Sequence, residues 1–105
     1  MLTNDLYGFP ESALDAVREA VEQALGIALT KHHTIYRGEH YACDGCGAET
    51  FLLQANWEAL DAELMEEQFP DMRVLLYVSG SDHATQVERR LTAATTAHLL
   101  ARQHE

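Results

Sequence analysis

Val74-Leu75-Leu76-Tyr77-Val78 is an unbroken apolar run, with Arg73 before it and Ser79-Gly80-Ser81-Asp82 after it. A short apolar run of this kind, bounded by turn residues, reads as a central β-strand buried on both faces. The segment therefore demands a sheet with cover, and the remaining residues have to supply both. At 105 residues there is room for one domain and one core, and the whole chain is read as that domain.

The cover is legible as amphipathic segments. Leu14, Val17, Val21, Ala24 and Leu25 recur at three- and four-residue intervals with Asp15, Arg18, Glu19 and Glu22 on the other side, which predicts a helix. Gly26 supplies its stop, and Tyr7 to Pro10 reads as the loop that enters it. Ile27 to Tyr36 alternates and is rich in β-branched and aromatic residues, so it reads as a strand ending near Gly38. Glu39–Cys43 and Ala48–Ala55 read as two more strands, joined as a hairpin across Asp44-Gly45. Asn56 is a natural helix cap, and Trp57, Leu60 and Leu64 share one face of an acidic helix from Trp57 to Gln68, closed by Phe69, Pro70 and Asp71. A last helix, capped by Gly80, Ser81 and Asp82, carries Val87, Leu91, Ala94, His98 and Leu99 on its stripe, with a frayed tail from Arg102 to Glu105. The expected architecture is α+β: a small antiparallel sheet of three to four strands, in the order α-β-β-β-α-β-α, covered by two long helices.

Seventeen Asp and Glu against seven Lys and Arg give a formal charge of −10. A field of that sign repels phosphate backbones and anionic lipid, so neither nucleic acid nor a membrane surface is an expected partner. Six of the acids, Glu58, Asp61, Glu63, Glu66, Glu67 and Asp71, fall in one stretch without Lys or Arg. Such a stretch serves solubility, and it also suits a protein partner with a basic surface, as an inhibitor or immunity protein meets its target. The residues expected to make that contact are Glu58, Asp61, Glu63, Glu66 and Glu67. No apolar run approaches the roughly 18–20 residues of a membrane span, and the acidic N-terminal stretch around Asp5 and Glu11 lacks a basic leader segment, so a cytoplasmic location is expected. One lysine against six arginines, with abundant alanine, points to a GC-rich bacterial source.

Cys43-Asp44-Gly45-Cys46-Gly47 is a C-x-x-C-G at the end of the expected hairpin, the spacing from which two thiolates grip one tetrahedral metal. The stretch resembles the knuckle of rubredoxins and zinc ribbons, and with His40 it is similar to the opening of ZZ-type zinc fingers. The resemblance implies zinc, held by Cys43, Cys46 and His40. No cysteine follows Cys46, so further ligands would come from His32, His33 or His83, or from the same pair on a second copy of the chain. The plainer reading, which is preferred, has two cysteines flanking a turn without chemistry, in a protein that needs no cofactor. A disulfide across the turn is a third reading, and redox use is weakened because the flanks favour a hairpin over a helix N-terminus.

The remaining candidates carry little. His32 and His33 are adjacent in an expected strand and point to opposite faces, one of them buried. His98 reads as a core-edge or interface residue. Ser79 to Asp82, between a strand and a helix, is a generic anion-binding position without the glycines and lysine of a phosphate loop. Tyr36, Tyr41, Tyr77 and Trp57 read as core or sheet aromatics. No serine, cysteine or histidine sits in a catalytic signature. The expectation is a non-catalytic, protein-binding or regulatory module, monomeric or homodimeric, with a small zinc-binding module as the alternative.

Overall fold

The computed structural model describes residues 2–44, 46–58 and 60–104. Among them are six strands and two helices: β1 (Thr3–Phe9), α1 (Leu14–Leu25), β2 (Thr30–Thr34), β3 (Gly38–Ala42), β4 (Thr50–Ala55), β5 (Val74–Ser81), α2 (Ala84–Ala94) and β6 (His98–His104). The strands form one sheet in the order β2-β3-β4-β5-β1-β6, and every neighbouring pair is antiparallel. The expected sheet of three to four strands under two long helices is thus overturned: the sheet dominates, and the helices are only 12 and 11 residues long.

Antiparallel pairing throughout means that strands an even number of places apart run parallel. β1 and β2, and likewise β5 and β6, are such pairs, and each is joined through a helix, the connection that a parallel return requires. Val17, Val21 and Leu25 of α1 and Val87 and Leu91 of α2 bury against Tyr7, Phe9, Tyr41, Phe51, Leu53, Val74, Leu76 and Val78. These strand residues alternate along their strands, so they define one face of the sheet and both helices cover it. Leu75 and Gln54 are fully buried on the other face. What covers that face is the long β4–β5 connection, whose Met72 approaches Gly8 so closely that a Cβ there would lie 2.6 Å from the Met72 Cγ.

Three local readings fail for identifiable reasons. Tyr7, Gly8 and Phe9, expected in an entry loop, belong to β1: Tyr7 and Phe9 are buried in the core, Gly8 answers the crowding by Met72 and Leu100, and Asp5 of the same strand is buried in a bidentate pair with Arg102 (2.9 and 2.9 Å). The same pair holds Arg102 in β6 where a frayed tail was expected; Glu105 lies outside the described residues. The last helix stops at Ala94 because the Thr95 hydroxyl donates to the Leu91 carbonyl (2.6 Å) and accepts from the Ala97 N–H (3.1 Å), offering the backbone an alternative to a further turn. His98 and Leu99 therefore sit in β6, and His98 is exposed.

The third failure is the acidic helix. The described residues of 57–68 make turns, with an isolated bridge between Glu58 and Glu63, and no helix. Asn56 is the reason. It does not cap; its amide donates to the carbonyls of Met72 (2.9 Å) and Phe69 (3.1 Å), with a longer contact to Glu66 (3.4 Å), while its Oδ1 accepts from the Glu66 N–H (2.8 Å). With its N–H given to Asn56, Glu66 cannot donate to the Ala62 carbonyl as a helix here would require.

Candidate functional site

The β4–β5 connection leaves the sheet at Asn56 and folds back at once. The Glu58 N–H donates to the Glu63 carbonyl (2.6 Å), and Ala62 takes a left-handed conformation (φ 55°) to make the return. This short loop places the Glu58, Asp61 and Glu63 carboxylates with ligand oxygens all within 4.8 Å of one another. Asp61 and Glu63 are exposed, whereas Glu58 is only 8% exposed, and its Oε1 is buried without a hydrogen-bond partner among the described residues. Burial pushes the Glu58 carboxyl above its ordinary range, and the hydrogen bond and negative charge of Asp61 and the charge of Glu63 push it the same way. A hydrogen bond from Tyr36 opposes them.

Around this cluster the apolar side chains face solvent. Trp57 is 48% exposed, Leu60 61% and Tyr36 46%, with Ile35 also exposed in the β2–β3 turn. Chain connectivity sets Trp57 and Leu60 beside Glu58, and the Tyr36 hydroxyl reaches Glu58 from the hairpin turn. Arg37 lies over the Tyr36 ring (6.0 Å) and donates to Gln54 (2.6 Å), which ties that turn to the sheet. The periodicity that placed Trp57 and Leu60 on a core-facing stripe has its apolar positions on the outside.

Of the five expected contact acids, the fold brings Glu58, Asp61 and Glu63 together. Glu66 is engaged elsewhere: its carboxylate accepts from the Tyr77 hydroxyl (2.7 Å) on the face of the sheet away from the helices, and its backbone is held by Asn56. Glu67 is exposed. The residue missed by sequence reasoning is Tyr36, which reads as a core or sheet aromatic at the end of a strand. The sharper signal was Arg37-Gly38, since Gly38 (φ 67°) ends the turn that carries Tyr36 outward.

Cys43 and Cys46 are joined as a disulfide between β3 and β4, with Cα atoms 5.8 Å apart; Gly45, assigned to the same turn, lies outside the described residues. Both pack at the edge of the helix-side core. His40 is buried on the other face of β3, its Nδ1 3.1 Å from the Gly38 carbonyl oxygen and its ring stacked on His32. His32 and His33 are both exposed, contrary to the expectation that one is buried, because β2 is the edge strand and all five of its residues are exposed. His83 lies between Asp82 (2.9 Å) and Glu49 (3.4 Å). Ser79, Gly80 and Ser81 complete β5 instead of capping α2, and the Gly80 N–H is already taken by Asn4 Oδ1 (3.0 Å). No helix is long and apolar enough to cross a membrane.

No known protein family matches this sequence, and no curated protein is similar to it.

Proposed function

We propose that the protein is a non-catalytic, regulatory binding module of the inhibitor or immunity type, which meets a partner protein of basic surface through Glu58, Asp61 and Glu63. The observation that carries this reading is the exposure of Trp57 and Leu60, which flank Glu58 in the chain, and of Tyr36, whose hydroxyl reaches Glu58. Aromatic anchors supply most of the energy of protein interfaces, and clustered charge of one sign supplies steering and register. The net charge of −10 argues against a nucleic-acid partner on the same ground. Glu67 extends the acidic surface, while Glu66 serves the fold. The reading places the protein in the cytoplasm.

The test is affinity capture from cell extract with the wild-type chain and with a Trp57→Ala/Asp61→Asn/Glu63→Gln variant, at low and high salt. The expected result is a basic protein retained by the wild type, lost with the variant and weakened by salt, with the variant's circular dichroism unchanged. Identical retention by both chains overturns the reading.

A second reading, zinc held by the thiolates of reduced Cys43 and Cys46, is favoured by the closeness of the two sulfurs at a partly exposed turn. Because His40 lies on the opposite face of β3, the missing ligands would come from the same pair of a second copy. A native mass spectrum of chelator-free, reduced protein decides it: one zinc per dimer supports it, and a metal-free monomer refutes it.

A further inference from the structure

Three carboxylates with oxygens all within 4.8 Å of one another repel unless a proton, a counter-charge or solvent relieves them. Among the described residues no Lys, Arg or His forms an ion pair with Glu58, Asp61 or Glu63, and residues 58–71 contain neither Lys nor Arg. The cluster is not a chance meeting of solvated side chains, because Glu58 is held inside it. The Glu58 backbone is bridged to Glu63, the residue is more than nine-tenths buried, and its Oε1 is buried with no donor among the described residues. A buried carboxylate oxygen with no donor is costly, and either a proton or a cation relieves it.

We propose that Glu58, Asp61 and Glu63 form a binding site for a hard divalent cation, calcium. All-oxygen, carboxylate-rich donor sets select hard cations over zinc or copper. Calcium and magnesium then differ in size and in how readily they shed water. Calcium takes oxygens at about 2.3–2.6 Å, so two ligands on opposite sides of the ion stand up to about 5 Å apart, whereas magnesium at about 2.0–2.1 Å spans only about 4 Å. Oxygens all within 4.8 Å of one another fit inside the calcium span as they stand, and magnesium's reluctance to shed water makes it the poorer occupant of a carboxylate set. Water and backbone carbonyls complete the shell, and with three protein carboxylates the affinity belongs in the weak range of about 0.1–1 mM. The site does not rest on the protein-binding reading, and failure to capture a partner leaves it standing.

Trp57, next to Glu58 in the chain, is the only tryptophan and provides the readout. Terbium(III), a calcium mimic, is titrated into the intact protein with excitation of Trp57, then displaced with calcium chloride, and the melting temperature is followed with calcium and with magnesium. Expected are sensitised terbium emission displaced by calcium, and a melting temperature that rises with calcium. Glu58→Gln is expected to weaken both responses by about tenfold or more while melting, in the absence of calcium, no lower than wild type. Asp61→Asn, at an exposed position, is expected to weaken them as well and guards against a folding defect in the first variant. Absence of any calcium effect, equal titration of the variants and the wild type, or equal action of magnesium and calcium would each overturn the proposal.

Discussion

Asn56 is buried and directs both ends of its amide at backbone groups of a single loop. With two amide hydrogens, its chief acceptors are the carbonyls of Met72 and Phe69, and Oδ1 takes the Glu66 N–H. No other side chain type offers two donors and an acceptor on so short a stem, so Asp, although isosteric, fails as a replacement. Asn56→Ala is expected to lower stability by about 2 kcal/mol or more, because buried backbone groups lose their partners. Hydrogen exchange supplies the sharper check: amides of residues 60–73 should exchange faster in the variant while those of β1 and α1 stay protected, and uniform acceleration over the whole chain would contradict a local role. The residue is conspicuous in the sequence only as a helix cap, since a cap and a loop clasp use the same chemistry on different partners.

At the scale of elements, what was legible depended on whether the evidence for an element lay within it. The helix at Leu14–Leu25 carries its own period and its own stop, and Gly26 closes it in the left-handed conformation (φ 67°) with its N–H on the Glu22 carbonyl (2.8 Å). The apolar run at 74–78 likewise announces β5, the strand flanked by β4 and β1. β1 and β6 were illegible because their decisive residues, Asp5 and Arg102, are 97 positions apart, and each alone looks like a loop or tail residue. The candidate site divides in the same way. Its acids stood out as a run without basic residues, but the burial of Glu58 and the arrival of Tyr36 depend on a fold-back loop and a neighbouring hairpin. The apparent helical stripe of Trp57, Leu60 and Leu64 misled because its spacing suits a helix whether or not those side chains have a core to face.

For the molecule as a whole, burial on both faces of the sheet has an alkaline signature. Tyr7 on the helix face has its phenol pushed above the ordinary range chiefly by burial and then by the charge of Asp5; Tyr77 on the opposite face is pushed up by burial and then by its hydrogen bond to Glu66. A group whose folded-state pKa is raised keeps its full contribution below the pKa of the unfolded chain, near 10, and loses it as pH rises further. Stability measured by urea denaturation is therefore expected to fall above about pH 10, with Tyr7→Phe reducing the slope. Folded protein that shows phenolate absorbance from all four tyrosines in that range would contradict the placement of these two rings.

The sheet order also fixes a sequence of events. β1, the earliest of these six strands in the chain, ends up between β5 and β6, the latest two of the six. Until β5 has been made, β1 has no strand to pair with, and Tyr7 and Phe9 have no Val74, Leu76 or Val78 beside them. The β2-β3-β4 meander can assemble from neighbours in the chain, but the half of the sheet built around β1 must wait until β5 and β6 have been made. During that wait an apolar strand with two free edges is open to any other chain, which makes the nascent protein a natural client for chaperones.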